Sequence, residues 1–165
     1  MEKLISMLVF LFNNYPENFK NELSKARVTK MIYLTDWLYA LNSDKHHQIT
    51  PIKWYFNNYG PYSDDVINCV KKYPNVFGEI QTETMYGSPK TLISLITPPS
   101  NLSCLEELEI KCLRKTIEMT KPLLWDDFIE LIYSTYPIQS SNKYVFLDLT
   151  QKAEELIKLR QEQAK

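Results

Sequence analysis

General acid–base or metal chemistry would need carboxylates, histidines or cysteines held together, and the chain offers a few such groupings. Adjacent acids occur at Asp64–Asp65, Glu106–Glu107 and Asp126–Asp127, and a pair of carboxylates is the minimum for one acid and one base. Each pair, however, falls where a helix is expected to begin, and a carboxylate there is stabilised by the positive end of the helix dipole without any catalytic duty. His46 and His47 are neighbours in a polar loop. Adjacent side chains on a helix or strand point in different directions, so these two do not chelate one metal from a regular element. Cys69, Cys104 and Cys112 form neither a CxxC nor a close ligand set, and their odd number argues against a disulfide framework. They read as small core residues of a reduced, cytoplasmic protein. Glycine occurs only at positions 60, 78 and 87, which leaves no Gly-rich phosphate loop, dinucleotide fingerprint or nucleophile elbow. No catalytic residue, metal site or cofactor is assigned.

The rings are the more promising chemistry, because Tyr and Trp offer large rigid area with a polar tip and are enriched where proteins meet. Lys30, Tyr33 and Trp37 lie at i, i+3 and i+7 on one helical face, and Trp54, Tyr59 and Tyr62 fall in a turn-like run, WYFNNYGPY. These six are the candidate residues for a protein contact. A central helix also needs a second layer of core, so Tyr33 and Trp37 serve packing as readily as contact.

The element that must position them is Ser24–Leu41. Val28, Met31, Leu34, Leu38 and Leu41 recur at helical spacing, Ser24 is suited to the N-cap, and the opposite side is hardly polar. A helix apolar nearly all round is covered on more than one side, so this one is read as the buried axis of the domain. Leu4, Leu8 and Leu11 mark a first helix. This apolar run is too short to span a bilayer, which takes about 20 residues, and it lacks the flanks of a signal peptide. Further helices are expected over about 63–73, from a Ser103/Glu106 capping box to about Met119, from Thr120–Pro122 to Thr135, and from about Asp148, with 159–165 a frayed charged tail. Asn58–Pro61 reads as a tight turn in which Gly60 supplies a positive φ. Strand-like runs at 76–81 and 91–96 flank a Gly-Ser-Pro turn and predict a small antiparallel hairpin, about 76–96.

The expectation is therefore a mainly α chain: a single globular helical domain over 1–165, with about six helices around the central one. The length of 165 residues and a hydrophobic content of 44% suit one domain with a substantial core. A net charge of −1, with both signs scattered through the chain, shows no basic face for nucleic acid or an anionic membrane.

The order KMIYLTDWLYA (30–40), an Ile-Thr-x-x-x-Trp segment (49–54), YGPYSDDV (59–66) and IYSTYP (132–137) resembles the Panacea domain, the SocA-like antitoxin family. In that family a helix reading Lys-Leu-x-Tyr-Leu-Ala-Asp is followed by a Tyr-Gly-Pro turn that starts the next helix. The similarity spans residues 4–158, with Thr35 where the family commonly has alanine. It marks Asp36, Gly60, Pro61, Tyr136 and Pro137 as fold-defining and carries over no catalytic set. What it implies is a mainly helical antitoxin of a toxin–antitoxin or phage-defence module, whose partner is a cognate protein toxin. The family pairs one domain with unrelated toxins, and at least one member delivers its toxin to an ATP-dependent protease. Adaptor function and regulation of its own operon are therefore the alternatives to direct toxin binding.

Overall fold

Ser24 opens the longest buried helix as expected, its hydroxyl accepting from the Arg27 amide at 3.2 Å. In the computed structural model, which describes residues 1–165, the helices are α1 (Glu2–Asn14), α2 (Lys25–Asn42), α3 (Asp65–Lys72), α4 (Glu107–Thr120), α5 (Trp125–Tyr133), α6 (Tyr136–Gln139) and α7 (Leu149–Gln163). A 3-10 helix covers Glu17–Glu22, where the sequence suggests only a polar connection. Two antiparallel hairpins complete the fold: β1 (Tyr55–Asn57) with β2 (Gly60–Tyr62), and β3 (Phe77–Glu83) with β4 (Pro89–Leu95). The mainly α architecture with a small hairpin at 77–95 is the one expected. The β1–β2 pair is an addition.

Every residue from Arg27 to Trp37 is buried. Helix α2 packs on α3, α4, α7, β2 and β4, so no side of it faces water. Its polar side chains must then find partners inside the protein, because an unanswered buried polar group costs about 1–3 kcal/mol. Most of them bind a different element. Arg27 Nη2 donates to the carbonyls of Thr120 and Leu123 at 2.7 and 2.8 Å, and its guanidinium lies 4.4 Å from the Phe128 ring centroid. A cation at the carbonyl end of α4 also complements that helix's dipole. Thr35 meets Thr116 of α4 at 2.8 Å. The Tyr33 hydroxyl meets Thr135, between α5 and α6, at 2.9 Å.

Asp36 does the most. Its carboxylate accepts from the amides of Ile49 and Thr50, each at 3.1 Å, from the Thr50 hydroxyl at 2.5 Å and from the Trp54 indole at 3.0 Å. Four donors from one loop converge on it, and this fixes the path from the end of α2 into β1.

Where helix boundaries depart from the sequence reading, other elements have claimed the capping groups. Helix α4 starts at Glu107, and its capping box is formed by Glu106 and Glu109, not by Ser103 and Glu106. Ser103 instead ties to α1, its hydroxyl donating to Glu2 and its carbonyl accepting from Ser6, while Lys3 pairs with Glu109 at 2.7 Å. Helix α5 starts at Trp125 and not near Pro122, because Arg27 draws the carbonyls of Thr120 and Leu123 towards itself. Helix α7 runs on to Gln163, with everything from Lys158 exposed.

Asp36→Ala leaves several donors without an acceptor, and denaturant unfolding at pH 7 is expected to show a loss of about 3 kcal/mol or more. Burial raises the Asp36 carboxyl from 3.8 to about 6, although its four hydrogen bonds pull it down. With the folded value above the unfolded one, the carboxyl's stabilising contribution is full below about pH 4 and is lost as pH rises through about 6. The stability gap between the natural chain and Asp36→Ala should accordingly widen as pH falls from 7 to 4.

Candidate protein-interaction site

Strand β1 has a hydrogen-bonded neighbour on each side, a strand on one and an irregular segment on the other. On one side β2 pairs with it in the register Tyr55–Tyr62, Phe56–Pro61, Asn57–Gly60. On the other, the segment 144–147 runs antiparallel: the Tyr144 amide donates to the Phe56 carbonyl at 2.6 Å, the Phe56 amide to the Val145 carbonyl at 2.9 Å, and the Leu147 amide to the Trp54 carbonyl at 2.8 Å. Side chains alternate along a strand, and here the alternation sorts the rings. Trp54 and Phe56 point into the core. Tyr55 points out, and directly opposite residues share a face, so Tyr62, Tyr55 and Phe146 form a row across β2, β1 and the bridged segment. Tyr55 and Phe146 meet edge to face at 5.1 Å between centroids.

The turn at the end of this small sheet is braced from beneath. The Tyr59 amide donates to Asn57 Oδ1 at 2.9 Å, the Tyr133 hydroxyl donates to the Asn58 carbonyl at 3.4 Å, and the Tyr144 hydroxyl donates to Asn58 Oδ1. Gly60 has φ +99°, and a Cβ there would stand 3.2 Å from the Tyr133 ring; both conditions require glycine. Pro61 is buried in the edge strand β2, where its missing amide hydrogen costs no ladder bond. The result is a rigid platform from which Tyr59 (77% exposed), Phe146 (68%), Tyr144 (60%) and Tyr62 (41%) project.

The six residues singled out from the sequence divide sharply. Tyr59 and Tyr62 stand on the platform. Lys30, Tyr33, Trp37 and Trp54 are core residues, each 4% exposed or less, because α2 is enclosed and because the Trp54 indole is committed to Asp36. Tyr33, Trp37 and Trp54 are closed off from surface contact, and of Lys30 only the ammonium end is not sealed, so the candidate surface is corrected accordingly. Their places in it are taken by Tyr55, Tyr144 and Phe146. Lys143–Leu147 forms no regular strand: Tyr144 takes the left-handed conformation (φ +69°) and Phe146 alone is bridged to Tyr55. Of the remaining fold-motif residues, Tyr136 donates to Glu155 of α7 at 3.3 Å and Pro137 is buried in the first turn of α6.

Lys30 differs from its polar neighbours on α2. It makes no hydrogen bond or ion pair within the chain, and burial alone pushes its amine down from 10.5 to about 8. The acid pairs lie apart, each at a helix start. His47 stacks on Tyr39 at 5.7 Å between centroids, and His46 Nδ1 lies 3.0 Å from the Ala40 carbonyl. No group of three or more His, Cys, Asp or Glu side chains is placed to hold a metal, and no helix is long and apolar enough to cross a membrane.

A family model described as antitoxin SocA-like, Panacea domain, matches residues 28–137. The match runs from Val28, within the first turn of α2, to the first turn of α6, including β1 and β2, and stops short of the 144–147 segment. No curated protein and no solved structure matches the chain.

The exposed platform rings should be separable from stability. Tyr59→Ser and Phe146→Ser are each expected to change the unfolding free energy by no more than about 1 kcal/mol. Trp54→Ala, in the core beneath them, should cost about 3–5 kcal/mol. Parallel denaturant titrations check both.

Proposed function

The chain belongs to the SocA-like antitoxin family, Panacea domain, and from that premise we propose that it neutralises a cognate protein toxin by binding it directly, in the cytoplasm. Family membership supports an antitoxin role in general, and with it a non-enzymatic one. The mode of action rests on the platform: Tyr62, Tyr55 and Phe146 in one row and Tyr59 at its end, held out by hydrogen-bonded strands. Monomeric proteins seldom leave so many large rings together in water unless something covers them.

Rigidity is what makes such a surface effective. A contact loses affinity to the ordering of its side chains, about 0.5–1.5 kcal/mol for each flexible one immobilised. Here the Tyr144 and Tyr62 hydroxyls are already tied to Asn58 and Asp64, and the Tyr55 ring is packed on Phe146. Aromatic residues near the centre of an interface commonly carry most of its binding energy. Occlusion of the toxin's working surface by this platform would be stoichiometric and would need no chemistry from the antitoxin.

Co-expression with the toxin encoded beside it, followed by size-exclusion chromatography with mass determination, should yield a stable complex and restored growth. Tyr59→Ser combined with Phe146→Ser should weaken binding by a factor of ten or more, about 1.4 kcal/mol, and should reduce rescue in proportion. Rescue without a complex contradicts direct binding and favours delivery of the toxin to an ATP-dependent protease.

A further inference from the structure

Among the polar side chains of α2, Lys30 stands out because nothing in the chain answers its charge. Asp36, Tyr33 and Thr35 each have a partner on another element, and the chain's ion pairs leave Lys30 out. It is nevertheless 4% exposed. A buried cation without a counter-charge is a standing cost to the fold. Arg27, also buried, lessens that cost with two carbonyls and an aromatic face. Lys30 has no such relief.

Its position gives the reason. The Lys30 side chain reaches the β1–β2 turn, its Cε 3.7 Å from where a Cβ on Gly60 would stand, and the Tyr133 ring lies 3.2 Å from the same point. Arg27 Nε and Nη1 are sealed from solvent without partners, whereas the Lys30 ammonium, also without a partner, is not sealed. It lies at the base of the platform, next to the turn that presents Tyr59 and close to the Tyr133–Asn58 contact. No carboxylate of the chain pairs with it there.

We propose that Lys30 is an anchor for a carboxylate of the bound protein, an acidic side chain that enters beside Tyr59 at the Asn58–Gly60 turn and takes the ammonium as its counter-ion. The apolar residues flanking that acid then lie along Tyr55, Tyr62 and Phe146. The inference rests on the toxin-binding reading and deepens it, since it names the chemistry that the toxin's contact segment must carry. Pairing in a site already stripped of water is stronger than the same pair at a rim, and most of the desolvation of the lysine is already present in the free chain. The anchor also accounts for a residue that weakens the fold. An apolar side chain at this position would pack without the charge.

The test uses the full chain and the toxin encoded beside it. Lys30→Met should melt at or above the temperature of the natural chain, yet bind the toxin at least tenfold more weakly by calorimetry. Replacing one aspartate or glutamate of the toxin by alanine should cause the same loss, and the two changes together should cost no more than either alone. A second readout needs no variant: the Lys30 Cε resonance, titrated by NMR, should report an amine near 8 in the free chain and a clear rise towards the ordinary lysine value in the complex. Lys30→Met binding at full strength, with Tyr59→Ser still weakening the complex, would overturn the anchor and leave the docking surface standing. An unshifted Lys30 titration in an intact complex would overturn it too, as would a response to inorganic phosphate with none to the toxin. Loss of nothing on changing either residue would count against the docking surface itself.

Discussion

A helix with no side facing water constrains everything packed around it. Between Arg27 and Trp37 every residue of α2 is enclosed, and five of them, Arg27, Thr29, Lys30, Thr35 and Asp36, are polar or charged. The fold is organised by how those groups are satisfied. Arg27 holds the carbonyl end of α4, Thr35 touches the middle of the same helix, and the Tyr33 hydroxyl catches the α5–α6 junction. Asp36 gathers the loop from Ile49 to Trp54. The hydrophobic contacts supply the driving force for burial, but they are non-directional. These hydrogen bonds set where each surrounding element begins and turns.

The aromatic platform follows from the Asp36 junction. With the Trp54 indole committed to Asp36, the chain leaves Trp54 as a strand whose next residue, Tyr55, must face outward. That parity carries Phe56 into the core and brings Tyr62 and Phe146 onto the outer face beside Tyr55. A shift of one residue would reverse every ring. The exposed surface is thus specified from the core, by the buried carboxylate of Asp36.

Much of this was legible in the amino-acid order. The helical spacing of Val28, Met31, Leu34, Leu38 and Leu41 identified the central helix, because periodicity is a local property, although the side read as hardly polar carries Arg27, Thr29, Lys30, Thr35 and Asp36 into the interior. The β3–β4 hairpin was likewise announced by its Gly-Ser-Pro turn. What sequence could not supply was competition between distant partners. Ser103 and Glu106 match a capping box, but Glu2 and Ser6 of α1 take Ser103 and leave the cap to Glu106 and Glu109. The backbone hydrogen bonds of residues 54–56 to 144–147 join segments far apart in sequence, so the place of Phe146 beside Tyr55 appears only in the folded chain. For the same reason Trp37 and Trp54 looked available for contact: indole rings suit an interface and a core equally, and only the tertiary arrangement decides.

The proposed docking of a protein toxin on the face made by Tyr55, Tyr59, Tyr62 and Phe146 is open to a direct test. Amide hydrogen–deuterium exchange of this chain, alone and with its toxin, addresses the claim without any mutation. Protection gathered in 55–62 and 143–147, with α7 and the β3–β4 tip at Met85–Tyr86 unchanged, is the result the account predicts. Protection confined to α7 or to that tip, with the platform exchanging as it does in the free chain, would contradict it.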